Sequence, residues 1–177
     1  MHPTLGELTA ELARVRAELR ELVTATPPQR FDHRPRSGGW TGTEILQHLG
    51  KTEGMMTKLL EGLFAKALAE GMPEETAARS WIHSLDHLHV LDRHRRIEAP
   101  ERAHPTSDAQ FAPSWASLQG VRERLLRAVA TVDGRDLTVV NAPHPVFGAL
   151  NGYQWVLVIG KHEERHLSQL RETLSEA

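Results

Sequence analysis

The chain has 177 residues, 40% of them hydrophobic and 25% charged, with a formal net charge of −2. That is the size and balance of one soluble globular domain spanning residues 1–177, and a chain this close to neutral offers no global basic field for nucleic acid. There is no cysteine, which excludes disulfides, thiolate nucleophiles and cysteine-ligated zinc, and fits a reducing cytoplasm.

The first residues lack a basic stretch followed by an apolar run, so no secretory leader is expected. The most apolar segment, Val146 to Gly160, is too short to span a bilayer and carries Asn151 and Gln154. No membrane partner is expected. The one dense basic run, Arg93-His94-Arg95-Arg96, reads as a solvated helix face.

Four helical segments follow in order. The first opens at Thr4, with Glu7 at the reciprocal capping position, and carries the stripe Leu5, Leu8, Leu12, Val15, Leu19 and Leu22. Pro27-Pro28 and Ser37-Gly38-Gly39 mark a linker. The second opens on another capping box, Thr41 with Glu44, and its stripe through Ile45, His48, Leu49, Leu59 and Leu63 predicts a helix to Ala69. A connection of about forty residues then runs from Gly71 to Pro113, long enough to need a job or structure of its own. Within it, Glu74 to Arg96 is expected to be partly helical and Ala99 to Pro113 extended. The third helix is predicted from near Ser114 to the Asp133-Gly134 turn, with Trp115, Leu118, Val121, Leu125 and Val129 inward. Leu137 to Val140 is taken as loop, because one strand cannot form a sheet. The fourth helix begins at Asn151, capped with Gln154, and carries Trp155, Ile159, His162, His166 and Leu170 on one face. This predicts an all-α four-helix bundle with one long crossover connection between helices 2 and 3.

His162 and His166 are one turn apart on the apolar face of their helix, and His48 lies on the apolar face of the second. Buried imidazoles need partners for their ring nitrogens. A divalent transition metal ion meets that need, imidazole suits zinc, nickel, copper or iron, and three histidines leave a coordination position open. The bland reading is a set of hydrogen-bonded core histidines. A rival cluster, His83, His87 and His89, has the same four-residue spacing between its first two members, and spacing alone does not reject it.

His162-Glu163-Glu164-Arg165-His166 matches the metalloprotease pattern, but only eleven residues follow it and Glu163 lies off the ligand face. Glu53 projects about 140° around its helix from His48 and reads as a structural contact. No catalytic residue is assigned. Gln169 can orient a ligand; Trp40 and Trp155 read as packing anchors.

The segment from Trp40 to Leu49, WTGTEILQHL, followed by Glu53, resembles the opening motif of the DinB-like (DinB/YfiT) superfamily. HEERHLSQ, from His162 to Gln169, resembles its closing motif. Ala99-Pro100 with Pro105, and His144-Pro145 with Gly148 before Trp155, resemble the spacer and pre-helix turn of one subgroup. The resemblance covers nearly the whole chain. It implies an up-down-down-up bundle, often a homodimer, with a metal held by one histidine of helix 2 and two of helix 4, here His48, His162 and His166. It also implies a thiol-dependent transferase or metal-dependent hydrolase acting on a small molecule. With no cysteine in the chain, the thiolate of a transferase would come from a low-molecular-weight cosubstrate, with zinc, nickel or iron as the expected cofactor. The alternative is a non-catalytic bundle that binds metal or a small ligand.

Overall fold

The computed structural model describes residues 1–36, 38–95 and 97–176; Ser37 of the predicted linker and Arg96 of the basic run lie outside the described residues. Four helices form where the apolar stripes place them: α1 (Pro3–Ala25), α2 (Gly42–Ala69), α3 (Phe111–Ala130) and α4 (Gly152–Glu176). Their direction follows from which residues meet. Gly50 lies against Leu118, Gly54 against Val121, and Glu61 pairs with Arg124, so α2 and α3 run in parallel. Leu12 meets Gly160, Arg14 pairs with Glu164, and Arg171 pairs with Glu18, so α1 and α4 are parallel too. Gly42 meets Leu170 while His48 meets His162, which sets α2 against α4. The bundle is therefore up-down-down-up, and the long connection exists because parallel α2 and α3 must be joined from end to end. At Gly160 a side chain would come within 3.0 Å of Leu12, so glycine permits the α1–α4 approach.

The cap at Thr41 forms as a complete capping box with Glu44, and Asn151 and Gln154 exchange the same pair of hydrogen bonds at the head of α4. The cap expected at Thr4 does not form. α1 starts at Pro3, where proline's missing N–H costs nothing, and Thr4 instead accepts from the Arg79 N–H while Glu7 accepts from the Ser80 hydroxyl. These two side chains tether the long connection. α3 begins at Phe111, three residues before the expected start.

The connection is less helical than its composition suggests. Between residues 74 and 95 the only regular helix is a 3-10 turn, Asp86–Leu88, and the stretch expected to be extended contains a second, Glu101–Ala103. Leu137–Val139 is a further 3-10 turn. The sheet missing from the sequence reading is a hairpin, β1 (Asn141–His144) with β2 (Gly148–Asn151), paired in antiparallel register from Asn141↔Asn151 to His144↔Gly148. Four-residue strands with a proline carry little strand signal, and such a hairpin is stable only against other structure. Ala142 and Leu150 are buried, and Trp155 of α4 donates its indole N–H to the Ala142 carbonyl.

The core falls into two apolar clusters, one around Leu12, Met56, Leu125 and Ile159, the other around Leu19, Leu49, Leu118 and Leu167. Between them each helix contributes one charged residue: Arg16, Glu53, Arg122 and Glu163, none more than 5% exposed. Both arginines pair with both glutamates. Arg16 and Arg122 spend further N–H groups on the Leu118 and Leu12 carbonyls. Among the described residues no helix is long and apolar enough to cross a membrane.

Candidate metal centre

His48, His162 and His166 come together, with one ring nitrogen of each within 4.8 Å of the others. His48 is held by its place on the buried face of α2 and is 3% exposed. His162 and His166, a turn apart on α4, are half-buried. Their ring centroids lie 4.5 to 5.2 Å apart in each pairing.

Hydrogen bonds at the back of the cluster fix two of the rings. A carbonyl only accepts, so His48 Nδ1 carries the proton it donates to the Ala103 carbonyl at 2.9 Å. His166 Nδ1 likewise donates to Gln169 Oε1 at 2.7 Å. In the neutral rings this leaves Nε2 bare, with its lone pair available to a shared ion; a donor to a carbonyl or amide behind each ring is the support that metal-binding histidines use. His48 Nε2 and His162 Nε2 are 3.3 Å apart. Two imidazole nitrogens on one tetrahedral ion at about 2.1 Å would be about 3.4 Å apart. The donor set fits a divalent transition metal.

Electrostatics keep the rings neutral. Burial lowers the pKa of His48, against the opposing pull of the Ala103 carbonyl. Burial, together with the neighbouring rings, holds His162 well below its ordinary range. Burial and the His48 ring bring His166 down to about 3. Near neutral pH all three can donate a lone pair without first losing a proton.

Ala103 sits in the connection, and its carbonyl leaves no trace in the sequence because it belongs to the backbone. The second half of the connection is pinned to α2 by Lys51, which donates to the His104 carbonyl, and by Gln47, bonded to Thr106. The first half is pinned to α4. Arg165 donates to the carbonyls of Val90, Asp92 and Arg95, and Arg93 pairs with Glu172. The connection is thus fastened to both helices that carry the histidines. Trp40 packs its ring on His48 at 4.8 Å between centroids. His144, at the end of β1, lies against Phe147 and Trp155 and accepts the Val146 and Phe147 N–H groups on Nδ1.

The rival cluster is not brought together. His83, His87 and His89 are exposed in turns; His83 pairs locally with Asp86, and His89 adopts a left-handed φ of 51°. Without a helix the four-residue spacing loses its meaning. Glu163, the would-be base of the protease pattern, faces the buried arginines, and so does Glu53.

Comparison with known proteins agrees with this architecture. A solved structure described as TT2238, a four-helix bundle protein, superposes with a TM-score of 0.63 at 22% identity, covering 95% of this chain and 98% of that one. An uncharacterized protein of Bacillus subtilis (strain 168), YuaE, is 32% identical over 146 residues, 81% of this chain and 83% of its own length. The family model described as the DinB superfamily matches residues 11–170, from the third turn of α1 to the last turns of α4. The chain belongs to the DinB superfamily.

Proposed function

We propose that His48, His162 and His166 hold one divalent metal ion, zinc, nickel or iron, and that the protein is a metal-dependent enzyme acting on a small molecule, either a thiol-dependent transferase or a hydrolase. The observation that carries this reading is the commitment of the His48 and His166 Nδ1–H groups to Ala103 and Gln169, which turns both Nε2 lone pairs to the inside of the cluster. When bound, a metal with an open position supplies a Lewis acid that lowers the pKa of a water or thiol beside it.

The chain's own residues do the rest. Ala103 and Gln169 orient the rings, Trp40 shields His48 from solvent, and the connection held by Arg165 and Lys51 bounds the space a substrate would occupy. No cysteine is present, so a transferase would take its thiol from a cosubstrate. Cytoplasmic location and a homodimer belong to the same proposal, the first supported by the missing cysteines and the second by the family resemblance alone.

A competing reading is a non-catalytic bundle in which the three rings bond one another, using the 3.3 Å contact between His48 and His162 as an N–H···N hydrogen bond. Elemental analysis of untagged protein separates the two. About one equivalent of metal, lost in His162→Ala and kept in His83→Ala, supports the proposal. Equal metal content in both variants, or none after reconstitution, removes it.

A further inference from the structure

A neutral imidazole carries one ring proton, so His48 offers its Nε2 lone pair only while that proton sits on Nδ1. The Ala103 carbonyl holds it there, at 2.9 Å. A proton on Nε2 would instead donate to His162 Nε2, 3.3 Å away, and both lone pairs would be lost to an ion.

Ala103 is delivered by a short segment of the connection whose shape is set locally. Glu101–Ala103 form a 3-10 turn after Pro100, and the Ala103 and His104 N–H groups donate to the Pro100 and Glu101 carbonyls. The His104 ring closes the same loop, donating from Nε2 to the Ala99 carbonyl at 2.9 Å. Two residues that flank His48 on α2 fasten this loop to the helix. Gln47 accepts the Thr106 N–H at 2.7 Å and donates to the Thr106 hydroxyl at 3.1 Å. Lys51, one turn after His48, donates to the His104 carbonyl at 2.8 Å. Trp40 spans the joint, its ring 4.8 Å from that of His48 and 6.2 Å from that of His104 between centroids.

We infer that Gln47 and Lys51 are positioning residues for the histidine cluster. They dock residues 99–106 on α2, and the docked Ala103 carbonyl keeps His48 in the tautomer that a metal ion can use. The consequence for metal affinity rests on the proposed three-histidine site; the control of the tautomer does not, because it operates in metal-free protein. No other described group bonds His48 Nδ1. With the segment undocked, nothing in the protein holds the proton there, and an Nε2–H bonded to His162 closes the cluster on itself. Docking and metal uptake are therefore linked, and by reciprocity a bound metal stabilises the docked segment.

The test is ring-nitrogen NMR of the metal-free full chain near neutral pH, labelled in histidine, with zinc affinity measured in parallel by chelator competition. The His48 signals are assigned by their absence in His48→Gln. Wild type is expected to carry the His48 proton on Nδ1. The double variant Gln47→Leu/Lys51→Met should lose that preference and weaken zinc binding by about tenfold. Lys51→Arg alone, which keeps a donor for the His104 carbonyl, should match the wild type in both readouts. So should Lys66→Met, which removes an exposed lysine near the end of α2. A wild-type ring protonated on Nε2, a double variant with the wild-type tautomer, or, where zinc binds, an affinity unchanged in the double variant overturns the inference. A wild type that takes up no zinc, with the His48 proton moving in the double variant as expected, retires the metal reading and upholds the positioning role.

Discussion

The bundle buries two polar clusters within a few turns of each other, and they are built on opposite terms. The quartet of Arg16, Glu53, Arg122 and Glu163 joins two guanidiniums to two carboxyl groups within the cluster; each guanidinium also reaches a main-chain carbonyl. The histidine cluster is neutral, and its donors point outward to Ala103 and Gln169, so its lone pairs converge on one another. A polar cluster that satisfies itself is structure. One that satisfies only its back leaves its front for a ligand. Glu163 and His162 are adjacent in sequence yet belong to different clusters, because neighbouring helical positions point about 100° apart.

This contrast can be broken by experiment. The largest effect should come from Arg122→Leu, which leaves two buried carboxylates with one partner. A loss of about 3–5 kcal/mol is expected in chemical denaturation, with metal content per folded protein unchanged. A variant as stable as the wild type would show that the quartet is not structural. Next, Gln169→Leu removes the acceptor behind His166 and should weaken metal affinity by about 10- to 100-fold with little change in stability; competition with a chromogenic chelator reads this directly. Unchanged affinity would mean that Gln169 does not orient the ring.

The third prediction concerns pH. Above the ordinary histidine value of 6.5 the rings are neutral both folded and unfolded, and their shifts cost nothing. Below it the unfolded chain takes up protons that the folded rings refuse, His166 down to about 3. Metal-free protein should therefore lose stability as pH falls through this window, by about 1.4 kcal/mol per pH unit for each ring. Denaturant midpoints at pH 7 and 5 measure the loss. His166→Leu should show a shallower slope, and identical slopes would place the titration elsewhere. The smallest effect is expected from His162→Leu in metal-free protein. Filling the site with an apolar side chain should change stability by about 1 kcal/mol or less, in either direction, while abolishing metal uptake. A loss as large as that of Arg122→Leu would make the histidine cluster a second structural element.

Much of this was legible beforehand where the signal is local. Apolar stripes marked all four helices, because a 3.6-residue period records which face is buried. Thr41 and Asn151 could be read as caps because their partners lie three residues away. Thr4 misled for the same reason: it carried the cap pattern, but a tertiary partner, the Arg79 N–H, took its side chain. The hairpin escaped because its stability comes from packing on α4 rather than from strand propensity.

What the sequence determined by itself was the set of faces: that His48, His162 and His166 lie on apolar stripes, and that the chain has no thiol of its own. Which histidines meet was decided only by the tertiary structure, since His83 and His87 had the same spacing and lost it when their segment formed turns instead of a helix. The tertiary structure alone also supplied the Ala103 carbonyl behind His48, and Arg93, which ties the connection to α4 through Glu172. Both come from the connection, which folds against helices distant in sequence, and the backbone groups and charges assembled there have no periodicity for a sequence to display.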